Sequence, residues 1–426
     1  MNGPFFPQTF AANAISVPAG CLPGQRETGR SADRQAPRHR QPGTQPAGRR
    51  ASNRRAKRLH FVGTRQYERK VKGEPLLKHA ELVGWLREAD PQRLNELWER
   101  ADRVRQQHVG SQVHLRGLIE FSNHCVRSCV YCGLRAPNRR LERYRMTADE
   151  ILACVHQAAA FGYGTVVLQS GEDLAVPTGE IAAWVRRIKR ETDLAVTLSL
   201  GERSEDVWAA WRRAGADRYL LRFETSNRRL YHRLHPPRPG QESDRIALLD
   251  LLRRLGYEVG SGVMIGIPGQ TYDDLARDLA LFAELDLDMI GVGPYLPHPD
   301  TPLADGATYP QAGPGEQVAA SEAMTYRMIA LARLVCPRAN IPATTALATL
   351  NRRNGRELGL QRGANVVMPN LTPPPYRELY AIYPEKACLA ETALACHSCL
   401  AARIRSLGRD VGQGRGDSPN RALRKT

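Results

Sequence analysis

Three closely spaced cysteines are the residues of this chain best placed to do chemistry. Cys125, Cys129 and Cys132 are arranged C-x3-C-x2-C in the run GLIEFSNHCVRSCVYCGLR, and Tyr131 stands directly before the third. A [4Fe–4S] cube normally takes four cysteine ligands, so three thiolates leave one iron open to another molecule. The spacing therefore predicts a reactive iron–sulfur cluster rather than simple electron storage.

Two other uses of these thiols remain open at this stage. A structural zinc site needs four ligands, and Cys129/Cys132 could pair with Cys396/Cys399 across a long stretch of intervening sequence. That pairing would leave Cys125 unused. Disulfides need an oxidising compartment, and we see no secretory signal. The pattern favours iron–sulfur over zinc and over inert or redox-active thiols.

The charge of the chain is concentrated at its two ends. Of the net +17, residues 1–58 carry +9 and residues 403–426 carry +5, which leaves +3 for the body. We predict that residues 1–70, rich in Pro, Gly, Gln and Arg, form a disordered leader and that residues 408–426 form a solvated basic tail. This distribution does not favour nucleic-acid binding. No apolar run approaches the length of a membrane span, and we expect a cytoplasmic protein.

Strand-like and helical segments alternate between these ends. Two helices are predicted over residues 75–110, where Asp90 and Pro91 mark a helix start. The strand-like runs are Val113–Asn123, Thr165–Glu172, Leu194–Gly201, Arg218–Glu224, Glu258–Gly266, Met289–Leu296, Asn340–Ala346 and Asn365–Leu371. Intervening helices, one opened by the Thr147/Glu150 capping box, predict an α/β fold, a (β/α)8 TIM barrel over residues 111–375. A helical segment should follow over residues 376–407.

Polar pairs stand near the ends of the second, third and fourth runs. Alternate positions of a strand share a face, which groups Gln169 with Gly171, Thr197 with Ser199, and Arg222 with Glu224. A self-satisfied buried network would explain any single pair. Three successive pairs beside the cysteine loop favour a polar ligand at the barrel mouth.

Longer motifs resemble those of the radical S-adenosylmethionine (SAM) enzymes, and more closely those of the HydE family of [FeFe]-hydrogenase maturases. The resemblance runs in order from about residue 76 to residue 407. It rests on the segments IEFSNHCVRSCVYCGLR, RYRMTADEI, VVLQSGED, AVTLSLGE, AGADRYLLRFET, GYEVGSGVMIGIPGQT, GPYLPHPDTPL, NIPATTA and GANVVMPNLTPPPYRELYAIYP.

The resemblance implies a role for each matching residue at the mouth. The first three cysteines would hold a [4Fe–4S] cluster whose open iron binds SAM, and an electron from the cluster would cleave SAM to a 5′-deoxyadenosyl radical. The residues implied in binding SAM are Tyr131, Gln169, Gly171, Glu172, Thr197, Ser199, Arg222, Glu224 and Arg245. Arginine binds carboxylates bidentately, which suits Arg222 and Arg245 to the methionine carboxylate.

The same resemblance implies a substrate cavity deeper in the barrel and a second cluster. The cavity residues are Pro342, Thr344, Thr345, Met368, Asn370, Tyr380 and Tyr383, although Met368 and both tyrosines could equally be ordinary packing residues. Cys388, Cys396 and Cys399, spaced C-x7-C-x2-C, match an accessory site for a [2Fe–2S] or [4Fe–4S] cluster.

The implied function is maturation of [FeFe]-hydrogenase, in which the radical acts on a cysteine-bound Fe(CO)/(CN) precursor. Expected partners are the maturases HydF and HydG and a low-potential reductant such as flavodoxin or ferredoxin. Two alternatives remain: a methylornithine synthase-like enzyme, and a non-catalytic iron–sulfur scaffold. A scaffold would have no need of Glu224 or Arg245.

Overall fold

A single curled sheet of parallel strands organises the protein. This computed structural model describes residues 77–238, 240, 243–305 and 308–424, so the predicted leader lies outside the described residues. Among them, the strands are β1 His114–Ser122, β2 Thr165–Ser170, β3 Ala195–Ser199, β4 Arg218–Leu220, β5 Glu258–Ile265, β6 Met289–Pro294 and β7 Val366–Val367. Their order in the sheet is β6-β5-β4-β3-β2-β1-β7.

The remaining predicted run, Asn340–Ala346, lies between the two edges of this sheet. Single parallel bridges join Met289 to Asn340 and Pro342 to Val366. The backbone N–H of Ile290 donates to the Asn340 carbonyl, and that of Ala343 donates to the Val366 carbonyl, both at 3.0 Å. Pro342 has no N–H to extend a ladder, so the segment stays irregular. The predicted α/β barrel is confirmed, with seven regular strands and one irregular segment in the described residues.

Helices cover the outside of the sheet and both of its ends. They are α1 His79–Arg87, α2 Pro91–Val109, α3 Ala148–Ala160, α4 Thr178–Glu191, α5 Glu205–Arg213, α6 Arg228–Leu234, α7 Arg245–Arg254, α8 Tyr272–Glu284, α9 Glu322–Val335, α10 Thr345–Leu350, α11 Gly355–Gln361, α12 Pro374–Leu379, α13 Ala393–Ser406 and α14 Asn420–Leu423. Asp90 caps α2 by accepting from the Gln92 N–H, and Thr147 with Glu150 forms the capping box of α3, as the sequence predicts.

Strand alternation separates the core from the cavity. On β2 and β3, Val166, Leu168, Val196 and Leu198 are fully buried in the main hydrophobic cluster with the covering helices. Their neighbours Val167, Gln169, Thr197 and Ser199 face the barrel interior and line a cavity. The period-two pattern thus aims the polar residues of each strand inward.

Residues 408–424 are not a solvated tail, which corrects the sequence prediction. Val411 bridges to Val113, and the Gly416 carbonyl accepts from Arg116 Nη2 at 3.1 Å. Arg415 pairs with Asp217 at 2.5 Å, and Asp417 pairs with the fully buried Arg218. The segment covers the amino-terminal end of the strands, because its charges find partners on the strands rather than in water.

Candidate active site

The three cysteines lie on the loop that follows β1 and line one pocket at the carboxyl end of the strands. Backbone hydrogen bonds hold this loop at three points: Val126 N–H to the Glu172 carbonyl, Val130 N–H to the Leu234 carbonyl, and Gly133 N–H to the Ile382 carbonyl, at 3.0 to 3.1 Å. Cys129 is buried, and Cys125 and Cys132 are half-buried. The structure therefore brings the predicted cluster ligands together at the barrel mouth.

The surroundings of the thiols fit an iron–sulfur cluster. The Glu172 N–H donates to Cys125 Sγ at 3.3 Å, the kind of bond that tunes cluster potentials. A Cβ on Gly171 would lie 2.2 Å from the His124 carbonyl oxygen, so the β2 loop approaches the cysteine loop as only glycine allows. Burial raises the pKa of Cys129 to about 11. Metal binding would offset this effect, because the positive charge of a bound metal favours the deprotonated form of its thiol ligands.

The zinc alternative gains no support from the geometry. Among the described residues, no group of three His, Cys, Asp or Glu side chains is arranged to hold a single metal ion.

A network of buried charges surrounds the cysteine pocket. Arg245, at the start of α7, donates to Glu202 Oε1 at 2.8 Å and to the Arg222 carbonyl at 2.8 Å. Arg127, from the cysteine loop, lies 3.4 Å from Glu202 and 3.9 Å from Glu172. Burial raises the pKa of Glu172 despite the nearby cations. The carboxylates and guanidiniums are thus held in fixed positions at the pocket wall.

Arg222 and Glu224 stand on the chain leaving β4. Arg222 Nη2 lies 3.0 Å from Glu224 Oε2, and Glu224 has a positive φ of 65°, unusual for a non-glycine residue. Burial raises the pKa of Glu224. Thr197 Oγ1 and Arg222 Nε are buried without a hydrogen-bond partner among the described residues. Unsatisfied polar atoms at a cavity wall fit a site that receives a polar ligand.

A deeper cavity of about 310 Å³ shares its upper wall with the cysteine pocket. The shared residues are Tyr131, Cys132, Gln169, Ser199, Leu220, Arg222 and Glu224. Five of the residues predicted for substrate line the deeper cavity, namely Pro342, Thr344, Thr345, Met368 and Tyr383.

The other two predicted substrate residues lie elsewhere. Tyr380 lines the cysteine pocket instead. Asn370 does not line either cavity; it donates to Glu120 Oε2 at 2.7 Å and so supports a residue that does. Both placements differ from the deeper cavity that the resemblance implied for these residues.

The sequence analysis did not identify an ion pair inside the deeper cavity. Lys386 Nζ donates to Glu120 Oε1 at 2.5 Å, and both side chains are buried. Glu120 is in register with Gln169 on β2, which is in register with Ser199 on β3. The sequence could have indicated Glu120, because it is an inward-facing acid on β1 at the level of the predicted polar pairs. Nothing in the sequence around Lys386 indicated that it would be the partner.

The second cysteine triplet lies beyond the barrel strands. Cys388 is in a loop with φ 64°, and α13 carries Cys396 and Cys399 one turn apart. A hydrogen bond with Cys396 lowers the pKa of Cys388 and raises the pKa of Cys396. Arg356 Nη1 lies 3.5 Å from Cys388 Sγ. The structure therefore brings Cys388 and Cys396 together within a cation-rich setting.

Comparison with known proteins relates the site to a family. The model of the radical SAM superfamily matches residues 119–282. The chain is 47% identical over 317 residues to the [FeFe] hydrogenase maturase subunit HydE of Thermotoga maritima, covering 74% of this chain and 87% of that protein. The chain belongs to the HydE family of radical SAM enzymes. As a family member it is an enzyme, and the family implies a [4Fe–4S] cluster and SAM.

Other relatives lie further from this HydE family member. The 3-methylornithine synthase of Methanosarcina barkeri is 29% identical over 68% of this chain and 78% of its own. The crystal structure of methylornithine synthase matches with a TM-score of 0.65 at 24% identity, covering 83% of this chain and 97% of that one. A HydG structure matches with a TM-score of 0.58 at 20% identity over 68% and 64% of the two chains. These structures support the fold alone. No helix in the described ranges is long and apolar enough to cross a membrane.

Proposed function

We propose that this protein is a maturase of [FeFe]-hydrogenase that acts on a cysteine-bound Fe(CO)/(CN) precursor of the hydrogenase cofactor. The observation that carries the proposal is its 47% identity to a hydrogenase maturase subunit over most of that protein's length. The methylornithine synthase it resembles is far less similar, at 29% identity.

The residues of the mouth suit the binding of SAM beside a cluster held by Cys125, Cys129 and Cys132. When bound, the cluster and SAM supply a 5′-deoxyadenosyl radical. Arg222 and Arg245 would pair with the methionine carboxylate, Arg245 through its Nη2, because its Nε and Nη1 already donate to Glu202 and to the Arg222 carbonyl. Glu224 would accept from the ribose or the ammonium group. The backbone of Gln169–Glu172 and the hydroxyls of Thr197 and Ser199 would complete the shell.

The deeper cavity would hold the iron-bearing precursor. Its wall combines apolar side chains, including Leu118, Val167 and Met264, with the hydroxyls of Thr344 and Thr345. Apolar surface suits carbonyl ligands, and hydroxyl donors suit cyanide or a carboxylate. Because the mouth and the cavity share the wall around Cys132, SAM bound at the mouth would lie beside a precursor held in the cavity.

The second cysteine triplet would hold a [2Fe–2S] or [4Fe–4S] cluster, and the enzyme would work with HydF and HydG in the cytoplasm. Its electrons would come from an acidic reductant such as flavodoxin or ferredoxin. Arg139 and Arg140 are exposed beyond the cysteine loop, where a basic rim would attract such a partner. Arg143 is not available to it, because its guanidinium donates to four backbone carbonyls of that loop.

The proposal is tested by activating a cofactor-free [FeFe]-hydrogenase anaerobically with HydF, HydG, reductant and SAM. We expect activity when this protein is present and none without it. Cys129→Ala should fail to activate. Cys154→Ala, which changes a buried cysteine on α3 that lines neither pocket, should activate normally. Hydrogenase activation that does not depend on this protein would refute the maturase proposal.

The two alternatives predict different outcomes in the same preparation. A methylornithine synthase-like enzyme would convert lysine to methylornithine while leaving the hydrogenase inactive. An iron–sulfur scaffold would support activation without forming 5′-deoxyadenosine. Measuring 5′-deoxyadenosine together with hydrogen evolution therefore separates all three functions.

A further inference from the structure

A buried histidine outside the predicted site contacts two of its members. His235 follows α6, is 1% exposed, and is succeeded by Pro236 and Pro237. The residue before a proline is held away from helical backbone angles, so α6 ends here. The ring then points to the junction between the cysteine loop and α7.

One nitrogen of this imidazole receives both contacts. His235 Nε2 lies 3.0 Å from the Tyr131 hydroxyl and 3.2 Å from Arg245 Nη1. A guanidinium can only donate, so Nε2 must be the unprotonated nitrogen. The other nitrogen, Nδ1, lies 3.3 Å from the Tyr231 carbonyl and donates to it. These partners fix the tautomer, and with it the direction of the single acceptor lone pair.

The two donors belong to different parts of the mouth. Arg245 lines the cysteine pocket, whereas Tyr131 lines both the pocket and the deeper cavity. The same end of α6 also fixes the loop backbone, because the Leu234 carbonyl accepts from the Val130 N–H at 3.1 Å. Val130 and Leu234 pack together in a small hydrophobic cluster against which Tyr131 also packs.

We propose that His235 is a positioning residue that, through one acceptor nitrogen, sets both the Arg245 guanidinium and the Tyr131 ring. The proposal rests on the proposed function in one respect, that SAM occupies the mouth and the substrate occupies the deeper cavity. Arg245 then determines how tightly SAM is held. Tyr131 lies between the two pockets and keeps SAM cleavage coupled to the reaction of the substrate.

The experiment compares His235→Phe, which keeps a ring and removes the acceptor, with Tyr131→Phe, which removes one donor. We expect His235→Phe to raise the SAM dissociation constant about tenfold, the loss expected for a hydrogen bond to a charged group. It should also raise the 5′-deoxyadenosine formed per hydrogenase activated. Tyr131→Phe should raise only that ratio. The double variant should be no worse than His235→Phe alone, because both changes break the same contact.

Three controls keep a folding defect separate from a positioning defect. His235→Gln offers an amide oxygen as acceptor and should recover much of the SAM affinity. Tyr257→Phe removes a buried hydroxyl that donates to the Trp208 carbonyl outside the site, and should change neither readout. Nitrogen-15 NMR of histidine in the metal-free protein should show His235 protonated on Nδ1.

Each readout can overturn the proposal. Wild-type SAM affinity and product ratio in His235→Phe, additive effects in the double variant, or an Nε2-protonated His235 would each contradict it. Failure of the proposed function has a different signature: the wild-type protein would cleave SAM but activate no hydrogenase. In that case the SAM dissociation constants and the tautomer still decide the role of His235.

Discussion

The two cysteine triplets of this protein differ in the groups that lie nearest to their thiols. Cys125 Sγ accepts from the Glu172 N–H, and Glu172 and Glu224 line the same pocket together with Arg127 and Arg245; burial raises the pKa of Cys125. Cys388, by contrast, has Arg356 at 3.5 Å, and Arg377 donates to its carbonyl. Burial thus disfavours the thiolate form in the first triplet, whereas in the second Cys396 and Arg356 both lower the pKa of Cys388.

This difference suggests a division of labour. A site that becomes charged only when iron arrives is coupled tightly to its cluster and to the ligand on the open iron. A site whose thiolate is already stabilised can bind or lose metal with less consequence for the fold. We therefore expect substitutions near the two triplets to have effects of different size.

The largest difference in activity should appear when one cysteine is removed from the first triplet rather than from the second. Cys125→Ala should lower 5′-deoxyadenosine formation by about three orders of magnitude or more, because two thiolates no longer hold a cube. Cys388→Ala should leave the rate within about threefold of wild type. Both are measured anaerobically with dithionite and SAM. A similar loss in both variants would show that the two triplets are not independent.

A second prediction concerns Lys386, which stands two residues before Cys388 and reaches into the cavity below the first triplet. Lys386→Met should lower the free energy of unfolding of the metal-free protein by about 3 kcal/mol, because it leaves the Glu120 carboxylate buried without its cation. Chemical denaturation measures the change. The double variant with Glu120→Gln should recover most of the loss, and its failure to do so would point to packing rather than charge.

Close backbone contact at the first triplet gives a smaller effect. Gly171→Ala should cost about 2 kcal/mol of stability and reduce iron loading, because the new methyl group meets the His124 carbonyl and Cys125. Gly179→Ala, on α4 with open space around it, serves as the matched control and should be neutral or up to about 1 kcal/mol stabilising. Equal behaviour of the two variants would contradict the crowding at Gly171.

The smallest effect on activity is expected at Arg356. Arg356→Met removes the cation beside Cys388 and should lower the iron held by the second triplet at least about threefold. The rate of SAM cleavage should not change. Iron content and Mössbauer spectra measure the first quantity, and 5′-deoxyadenosine the second. Undiminished iron at the second triplet would mean that the cation does not contribute to binding there.

The sequence predicts the first triplet and its strands well because their signals are local. The C-x3-C-x2-C spacing, the polar pairs and the strand alternation each lie within a few residues, and the structure brings them to one mouth. The Glu120–Lys386 pair was missed because 266 residues separate its members. His235 was missed for a related reason: a lone histidine before two prolines shows nothing of Tyr131, which lies 104 residues away.

The same limit explains the error at the carboxyl end of the described chain. Arg415 and Asp417 sit in a stretch of Gly, Arg and Ser whose composition is typical of solvated tails. Their partners, Asp217 and Arg218, are nearly 200 positions earlier. Composition shows whether a segment can bury enough apolar surface to fold by itself. It does not show whether a distant segment provides partners for its charged residues.

The placement of residues 408–424 also affects the order in which the molecule is made. Arg116, on the first strand, bonds to a carbonyl 300 positions later, so contacts at this end of the barrel cannot form until late in synthesis. Contacts of such long separation form slowly. In a nascent chain, the cysteine loop would therefore form before residues 408–424 cover the amino-terminal end of the strands. Iron inserted at that stage would enter a barrel that is still open at that end.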